Sequence, residues 1–442
     1  MRFDEAVDYL LSLGHETLTI KLGLQNTELL LQALNNPERA YPAVQIAGTN
    51  GKGSTAVFLD SICRSAGIRT GLYTSPHLQR ITERIKVAGL EISQDEFARQ
   101  TSTLRETSLK LVENGQLSAL PTFFEQVTAI ALVAFRAANI ELAILETGLG
   151  GRLDSTTAAN AGICAITQID FDHEEYLGRD LRSIASEKAA IIRPGVDVVV
   201  APQATEAFET IWERCREVGV SPQIDGCKSR VEGVSTGGKF SVTFETNSGK
   251  YANVSLGLRG QHQIENAAIS IQLAELLRAR GFEIDQRSIV AGLEDATHPG
   301  RLEWIDRIPT YILDGAHNPA GARALRRFLD EYAPRPLTIV FGAMQDKNLR
   351  DMGEVLFPLP DELIFTPVKN PRTASTTNLT EVAAEFALSR VTVAPTSEAA
   401  LEMAAERTSS EGTICITGSL YLIGEVRQYL VPENDNTTER SA

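Results

Sequence analysis

The strongest chemical signal in this sequence is a glycine-rich segment that follows the apolar run AVQIAG and precedes a helical pattern. The segment consists of Gly48, Thr49, Asn50, Gly51, Lys52, Gly53 and Ser54. Glycines let the backbone aim successive N–H groups at phosphate oxygens, and a following helix adds its positive N-terminal dipole. A lysine here reaches the terminal phosphates, and Ser54 or Thr55 can hold Mg²⁺. The spacing differs from GxxxxGK[ST], so we predict a phosphate loop of another kind than that of kinases and GTPases.

Four further polar segments follow predicted strands, where an open α/β sheet exposes its ligand-binding edge. They are YTSPH (73–77), ETGLGGR (146–152), DFDH (170–173) and DGAHNP (314–319). Each segment alone has a structural explanation, such as a turn glycine, a capping aspartate or a core histidine. Of the six histidines, however, His77, His173 and His317 all follow predicted strands. Their coincidence indicates one functional site, whereas His15 is interpreted as structural.

This set of residues contains what ATP-driven acyl activation requires. A carboxylate such as Glu146 and an imidazole such as His173 can coordinate a divalent metal beside a γ-phosphate, with Ser75 as a neutral oxygen ligand. Metal would neutralise charge during in-line phosphoryl transfer. We do not interpret Glu146 as a base that activates water, because a ligase must keep water out of this step.

Short β-rich runs alternate with helical patterns, which predicts the sheet that must position these residues. The first series of predicted strands comprises 43–48, 142–146, 162–169 and 196–201, and the second comprises 311–314, 337–342, 362–367, 391–394 and 413–418. Helical spacing is found at 379–389 and 397–407, and Ala56, Leu59 and Cys63 form the stripe of a helix after the glycine loop. This alternation predicts an α/β fold with mainly parallel sheets. The segment at about 228–260 instead predicts a small antiparallel excursion with a β-hairpin.

The pattern predicts two domains and a tail. We place an ATP-binding P-loop domain at 1–296, with the β-rich excursion inside it, and a Rossmann-like α/β domain at 297–431. The Pro-Gly pair within 296–301 is the best boundary candidate. The polar tail at 432–442 is predicted to be disordered.

Composition excludes several classes of protein. The 442 residues are 43% hydrophobic and 22% charged, which is typical of a folded chain. The net charge of −15 argues against a nucleic-acid or anionic-membrane binder. The longest apolar run, 129–135, is too short to span a bilayer, and the acidic N-terminus is unlike a signal peptide. We therefore expect a cytoplasmic protein whose five scattered cysteines are reduced.

Eleven motifs, taken in order, resemble those of the folylpolyglutamate synthase and dihydrofolate synthase family of the Mur ligase superfamily. They are QIAGTNGKGSTA, TGLYTSPHL, ERI, TFFE, ETGLGGRLD, DHEEYLG, SEKAAIIRPG, GQHQIENAA, HPGRLE, DGAHNP and FGAMQDKN. They run from residue 45 to about residue 350, and the remaining βα pattern is compatible with the same fold. An ordered series of this kind is far more specific than the glycine loop alone.

The resemblance implies an ATP-dependent ligase that joins L-glutamate to a pteroate or folate carboxylate through an acyl phosphate. Lys52 and the backbone of Gly51 and Gly53 would bind the phosphates. Ser54 and Glu146 would hold one Mg²⁺, and Ser75, Glu146 and His173 a second, with K⁺ as a further candidate cation. Lys188 matches a lysine that is carbamylated in the family, which would turn a repelling cation into an anion beside the metal.

The resemblance also implies contacts with the rest of ATP and with the folate. Asn266, Arg301, Asp314 and His317 match positions that approach ATP, which would bind between two domains that close on it. Phe123 and Phe124 are candidates for stacking on a pterin, although aromatics before a helical run also occur in cores. Arg84 and Arg152 are candidates for substrate carboxylates.

Several alternatives stay open at this point. The acceptor is dihydropteroate, a reduced folate or both, and the family suggests a monomer. The rival functions are a Mur-type amide ligase acting on another substrate and a non-catalytic ATP-binding module.

Overall fold

The structure, a computed structural model, describes residues 1–14, 23–386 and 390–431. His15 and the predicted tail at 432–442 lie outside the described residues. Contacts divide the chain into two compact units. Unit 1 comprises Met1–Val234, Phe240–Gly257 and Gln261–Thr297, and unit 2 comprises Ser235–Lys239, Leu258–Gly260 and the described residues of His298–Ala442. The assignment of an ATP-binding domain to 1–296 concerns function and stays a prediction.

Unit 1 is built around a mainly parallel sheet with the strand order β4-β3-β2-β5-β1-β6-β7-β8. The strands are β1 Ala43–Ala47, β2 Thr70–Tyr73, β3 Ile85–Val87, β4 Leu90–Glu91, β5 Leu142–Glu146, β6 Ile163–Ile166, β7 Asp197–Val200 and β8 Gln223–Ile224. β1 pairs in parallel with β5 on one side and with β6 on the other, and β5 pairs in parallel with β2. The central strands are buried along their whole length, as the continuous apolar runs predict.

Helices cover both faces of this sheet. They are α1 Phe3–Ser12, α2 Gln25–Ala33, α3 Lys52–Ser65, α4 Gln94–Glu113, α5 Phe123–Ala137, α6 Glu174–Leu177, α7 Leu181–Ala189, α8 Thr205–Val218, α9 His262–Ala279 and α10 Gln286–Asp295. Three 3₁₀ turns are described, at Pro37–Ala40, Ile81–Arg84 and Ser155–Ala159.

The helix after the glycine loop, α3, is buried on all sides along 53–63, whereas the sequence predicted only a buried stripe. The reason is that α9 and α10 pack over it. A Cβ on Gly292 of α10 would lie 2.3 Å from the Cα of Ile62 in α3, so the two backbones approach closely.

The predicted antiparallel excursion is confirmed as a separate sheet with the order β11-β10-β9. Its strands are β9 Cys227–Val234, β10 Phe240–Thr246 and β11 Gly249–Ser255. The hairpin turns between β10 and β11 as the sequence predicts, and β9 adds an edge strand to it.

Unit 2 contains a second α/β sheet with the order β12-β13-β17-β14-β15-β16. Its elements are β12 Glu303–Ile305, β13 Thr310–Asp314, α11 Pro319–Tyr332, β14 Leu337–Phe341, α12 Leu349–Leu356, β15 Glu362–Phe365, α13 Thr376–Ala384, β16 Val391–Val393, α14 Ser397–Arg407, β17 Thr413–Thr417 and α15 Leu420–Leu430. All pairings are parallel except that of β12 with β13. The predicted Rossmann-like α/β architecture is therefore confirmed. Among the described residues, no helix is long and apolar enough to cross a membrane.

Candidate active site

The glycine-rich segment forms a tight loop between β1 and α3 that accepts no side chain at two positions. Gly48 and Gly51 have φ angles of +150° and +89°. A Cβ on Gly48 would lie 1.9 Å from Thr167 Oγ1, and one on Gly51 would lie 2.2 Å from Asn266 Oδ1. Because L-residues rarely adopt these angles and have no room here, the loop requires glycine at both positions.

Hydrogen bonds from the backbone and from the Thr49 side chain to the segment after β6 hold this loop. The N–H groups of Thr49 and Asn50 donate to the carbonyl oxygen of Gln168 at 2.9 and 3.1 Å. Thr49 Oγ1 donates to the Asp170 carbonyl at 2.9 Å and accepts from the Asp170 N–H at 3.1 Å. Helix α3 then begins at Lys52, so its N-terminal N–H groups follow directly after the anchored turn. This arrangement suits the binding of a phosphate.

Two lysine side chains converge on this loop. Lys52 Nζ donates to the carbonyl oxygens of Gly48 and Thr49 at 3.1 and 3.0 Å, and Lys188 Nζ donates to the same Gly48 carbonyl at 2.7 Å. Lys188 is only 4% exposed. Burial, and then the charge of Lys52, lower the pKa of Lys188 to about 7, while Asp172 acts in the opposite direction. The loop thus lies beside a lysine that loses its proton near neutral pH.

Glu146 ends the strand next to the loop. β5 places Glu146 opposite Ile46 of β1, and the side chain is buried. Its Oε2 accepts a hydrogen bond from the Ser75 N–H at 3.1 Å. Because β2, β5 and β1 are parallel neighbours, the segments after them share one edge of the sheet. The structure therefore brings Ser75 and Glu146 into contact.

His173 lies on the other side of β1, in the segment after β6. It precedes α6 with a left-handed φ of +51°. Its backbone N–H donates to Asp172 Oδ1 at 2.9 Å, and its ring Nε2 lies 3.8 Å from Asp172 Oδ2. The Asp172 carboxylate thus holds the His173 backbone and lies near its imidazole, at the carboxyl edge of the sheet.

The donor set fits a magnesium ion that arrives with a nucleotide. Magnesium is usually held by one or two carboxylates together with substrate phosphates, rather than by a cage of protein ligands. Within the described ranges, no group of three or more His, Cys, Asp or Glu side chains forms such a cage. Glu146 supplies a carboxylate, and Ser54 and Ser75 supply hydroxyls, so phosphate oxygens would have to complete the coordination.

Helix α9 contributes two amides beside the phosphate loop. Asn266 is 6% exposed, and its Nδ2 donates to Gln263 Oε1 at 2.9 Å. Gln263 Nε2 in turn donates to Ser54 Oγ at 3.3 Å. The structure therefore brings Asn266 to the loop as expected. Gln263 was missed, although it lies within the motif GQHQIEN, because a lone glutamine gives no chemical signal.

In unit 2, Asp314 organises the segment after β13. It is 9% exposed, and its carboxylate accepts from the N–H groups of Leu302 at 2.9 Å and Ala316 at 3.0 Å. Burial raises the pKa of Asp314, and the charge of Arg301 lowers it. Asp314 and Arg301 are thus electrostatically coupled.

His317 and Arg301 lie around the same segment. His317 Nδ1 is 2.7 Å from the carbonyl oxygen of Gly315, and since a carbonyl only accepts, this nitrogen carries the proton. A Cβ on Gly315 would lie 3.1 Å from Arg301 Nη1. The three predicted residues of unit 2 therefore form one cluster.

Two of the four candidate substrate residues are deeply buried. Phe123 is 4% exposed and belongs to the core of unit 1. Arg84 is 2% exposed, and its guanidinium lies 5.4 Å from the centre of the Phe123 ring. Arg84 Nε also donates to His77 Nδ1 at 2.8 Å. This burial gives Phe123 a role in packing, and a contact between Arg84 and a substrate stays a prediction.

The other two candidates are more accessible. Phe124 is partly buried, and its ring centre lies 6.2 Å from that of Tyr73. A Cβ on Gly148 would lie 2.4 Å from the Phe124 ring. Arg152 is exposed and pairs with Glu187 at 2.8 Å. Their roles toward a substrate also stay predictions.

Asp154 is an organising residue that the sequence did not single out. It is buried, with 5% of its surface exposed, and accepts hydrogen bonds from the N–H groups of Gly148 and Leu149, both at 2.9 Å. Burial raises its pKa, while its hydrogen bonds, first that from the Thr156 hydroxyl, act in the opposite direction. An aspartate followed by three hydroxyl residues is a capping signal that could have indicated it.

Two family models match most of the chain. The Mur ligase middle domain matches residues 46–274, and the Mur ligase, glutamate ligase domain matches residues 300–420. The first match covers more than half of the chain and contains the phosphate loop, Glu146 and Lys188. The second contains Arg301, Asp314 and His317.

Named relatives resemble the chain over nearly its whole length. A dihydrofolate synthase/folylpolyglutamate synthase of Bacillus subtilis is 33% identical over 94% of this chain and 97% of the relative. A probable bifunctional folylpolyglutamate synthase/dihydropteroate synthase of Haloferax volcanii is 34% identical over 99% of this chain. The chain spans about half the length of that relative, 52%.

Solved structures show the same fold. Mycobacterium tuberculosis folylpolyglutamate synthase complexed with ADP has a TM-score of 0.88 and 31% identity, covering 97% of this chain and 99% of that one. Escherichia coli FolC in complex with DHPP and ADP has a TM-score of 0.86 and 29% identity over 97% of both chains. A Yersinia pestis folylpolyglutamate synthase/dihydrofolate synthase complexed with AMPPNP and Mn has a TM-score of 0.83 and 28% identity, covering 97% and 98%.

Proposed function

Because the chain belongs to the folylpolyglutamate synthase/dihydrofolate synthase family of the Mur ligases, we propose that it is an ATP-dependent ligase that joins L-glutamate to a pteroate or folate carboxylate. The observation that carries this proposal is the convergence of Lys52 and Lys188 on the Gly48 carbonyl, in a loop built for phosphate. The carboxylate of Glu146 ends the adjacent strand.

The reaction would proceed in two steps. A carboxylate oxygen of the acceptor attacks the γ-phosphorus of ATP, the bond between that phosphorus and its bridging oxygen breaks, and ADP leaves. The amine of glutamate then attacks the acyl carbon, the bond from carbon to the phosphate oxygen breaks, and phosphate leaves while the nitrogen loses a proton. The loop would stabilise the negative charge that develops on the phosphoryl group during its transfer.

We assign the binding of the phosphates and of the metal ions to unit 1. Lys52 and the N–H groups at the start of α3 would hold the β- and γ-phosphates, and Asn266 would support the loop through its contact with Gly51. Ser54 and Glu146 would hold one Mg²⁺, while Ser75, Glu146 and His173 would hold a second. When bound, the metal supplies positive charge that neutralises the phosphates. Relatives complexed with ADP and with AMPPNP and Mn support this assignment.

We propose that Lys188 carries a carbamate in the active protein. A buried amine whose pKa is about 7 is about half uncharged at pH 7, and an uncharged amine can react with CO₂. The product is an anion, which would suit a position beside a cationic metal better than an ammonium group. The unmodified ammonium group donates to the Gly48 carbonyl oxygen at 2.7 Å.

Three residues of unit 2 are proposed to contact the nucleotide. An arginine such as Arg301 pairs with phosphate, and an aspartate at a strand end such as Asp314 accepts hydrogen bonds from ribose hydroxyls. His317, whose Nδ1 is engaged with Gly315, would present Nε2 as an acceptor when neutral.

Contacts with the acceptor are proposed for Phe124, Arg84 and Arg152. Phe124 lies against Gly148 in the loop that follows Glu146, which supports a role for its aromatic ring near the proposed reacting groups. Phe123 would support Arg84, because the Arg84 guanidinium lies over its ring. Escherichia coli FolC is in complex with DHPP as well as ADP, which supports a site for a second ligand besides the nucleotide.

Two further proposals rest on the resemblance: we propose that the chain acts as a monomer and that K⁺ is an additional cation. We also propose that it acts in the cytoplasm, which is an expectation from its composition. Size-exclusion chromatography with light scattering tests the monomeric state directly.

The deciding experiment is an assay of glutamate-dependent ADP release with Mg-ATP. Dihydropteroate and tetrahydrofolate are offered separately, and the products are weighed by mass spectrometry. Turnover with both acceptors identifies a bifunctional enzyme, and turnover with one assigns that step. ATP binding without glutamate-dependent release from either acceptor would contradict the proposal and favour another Mur-type substrate or a non-catalytic ATP-binding module.

A further inference from the structure

The loop after Glu146 is held by a buried hydrogen-bond network whose far end is Gln45. Gln45 lies in the middle of β1 and has no exposed surface. Its Nε2 donates to the hydroxyl oxygens of Thr156 at 3.0 Å and Thr157 at 2.7 Å. A buried amide in an otherwise apolar strand is costly unless it is hydrogen-bonded, so the position of Gln45 calls for an explanation.

The network continues from Thr156 to Asp154. Thr156 Oγ1 and its N–H both contact Asp154 Oδ1, at 2.6 and 3.0 Å. The other oxygen of Asp154 accepts from the N–H groups of Gly148 and Leu149. Backbone N–H groups only donate, so these contacts suit an ionised carboxylate that accepts from every partner.

The direction of each hydroxyl proton follows from these partners. The proton of Thr156 must point to Asp154, because a carboxylate only accepts, and the proton of Thr157 must point to the Gly151 carbonyl oxygen, 2.7 Å away. Both hydroxyl oxygens can therefore only accept from Gln45. This fixes the orientation of the Gln45 amide, with its NH₂ group toward the two threonines.

The loop held in this way contacts the helix that carries Lys188. The N–H of Arg152 donates to the Glu187 carbonyl oxygen at 2.9 Å. A Cβ on Gly151 would lie 2.9 Å from the Lys188 carbonyl oxygen, so the two backbones are in contact. The segment 147–154 thus begins directly after Glu146 and packs against the end of α7.

We propose that Gln45 is a positioning residue of this site. By donating to the hydroxyl oxygens of Thr156 and Thr157, Gln45 holds in place the two residues that bind Asp154 and Gly151. It thereby fixes the segment 147–154, and through this segment it positions the Glu146 carboxylate and the end of α7 at Lys188. Its effect on catalysis rests on the proposed ligase function. Its effect on the order of the segment does not.

The test is Gln45→Met, which keeps the length of the side chain and removes its N–H donors. Amide hydrogen exchange of Gly148 and Leu149 should accelerate about tenfold, as the loss of one or two net hydrogen bonds predicts. In the ligase assay, kcat should fall and the Mg²⁺ concentration needed for half-maximal activity should rise. Unchanged exchange would overturn the proposal, and so would faster exchange with wild-type kcat and Mg²⁺ requirement.

A matched control is Thr101→Val, which removes another buried hydroxyl hydrogen bond, to Phe97 in α4, without touching the segment. It should leave the exchange of Gly148 and Leu149 unchanged. If the wild-type chain shows no ligase turnover, the proposed function fails, while the exchange result still decides the role of Gln45 in ordering the segment.

Thr156→Val breaks the same network outside β1, and by itself it should also accelerate the exchange of Gly148 and Leu149, so a test remains if Gln45→Met does not fold. In a background with both Thr156→Val and Thr157→Val, Gln45→Met should change exchange and kcat less than it does in the wild type, because both hydroxyl acceptors of Gln45 are already removed. Additive effects of Gln45→Met in that background would show that Gln45 acts independently of the two threonines and would contradict the proposal.

Discussion

The ammonium group of Lys188 donates to the carbonyl oxygen of Gly48 at 2.7 Å, across 140 residues of sequence. This bond ties α7 to the phosphate loop, and Lys52 donates to the same carbonyl from the loop's own helix. A buried ammonium near a second one is destabilised, which is why the pKa of Lys188 is lowered to about 7. The pair therefore couples the phosphate loop to a group that titrates near neutral pH.

Lys188→Met should flatten the dependence of stability on pH. Between pH 7 and 10.5 the unfolded chain holds a proton on this lysine that the folded chain has lost, so the free energy of unfolding of the wild type rises with pH across that window. The rise is at most about 1.4 kcal/mol per pH unit. Urea unfolding at pH 7 and 9 in CO₂-free buffer measures it.

The control for this substitution is Lys110→Met, at an exposed position of α4. It should retain the wild-type slope with pH. An equal slope in Lys188→Met and the wild type would show that Lys188 is not the group responsible. In bicarbonate buffer, native mass spectrometry of the wild type should show one added CO₂, which Lys188→Met should not acquire.

Lys52→Ala should abolish turnover, with a loss of at least about a thousandfold in kcat, because no other group of the loop replaces its charge on the transferring phosphate. The melting temperature should remain close to that of the wild type. ADP release and thermal unfolding measure the two effects. Lys110→Ala serves as the matched control with full activity, and substantial activity in Lys52→Ala would remove Lys52 from the mechanism.

Glu146→Gln should lower kcat by about a hundredfold or more, because a neutral amide is a weaker ligand for Mg²⁺ than a carboxylate. The Mg²⁺ concentration for half-maximal ADP release should rise. Glu141→Gln, an exposed position just before the same strand, provides the control and should leave both values unchanged. A Mg²⁺ requirement equal to that of the wild type would argue against Glu146 as a ligand.

Gly51→Ala should weaken ATP binding by about a hundredfold, since a displacement of the order of 1 Å has effects of that size. The added Cβ would collide with Asn266 Oδ1 at 2.2 Å, at a φ of +89°. Gly67→Ala is a close control, because its φ is +80° and nothing lies within 4 Å of its added Cβ. It should cost only about 1 kcal/mol of stability. Calorimetric titration with ATP distinguishes the two variants, and equal affinities would refute the role of the contact.

The sequence by itself determined the order of the elements and the chemistry of each motif. Continuous apolar runs predict buried parallel strands, and the observed strand Leu142–Glu146 and helix Ser397–Arg407 match the predicted ranges. The glycine loop and the residues at strand ends were recognisable because phosphate binding needs particular residue types at particular spacings. Local patterns of this kind can be recognised in the sequence because they involve only residues that are close together along the chain.

Only the tertiary structure decided which residues meet. The sequence could not show that α9 and α10 would bury α3 on all sides, because this depends on elements more than 200 residues away. Nor could it show that Lys188 donates a hydrogen bond to the Gly48 carbonyl oxygen or that Phe123 belongs to the core. The hydrogen bonds that connect Gln45 to Asp154 through Thr156 were equally beyond it. Burial and hydrogen-bond direction depend on neighbours brought together by packing. These neighbours set the pKa of Lys188 and the position of the loop after Glu146.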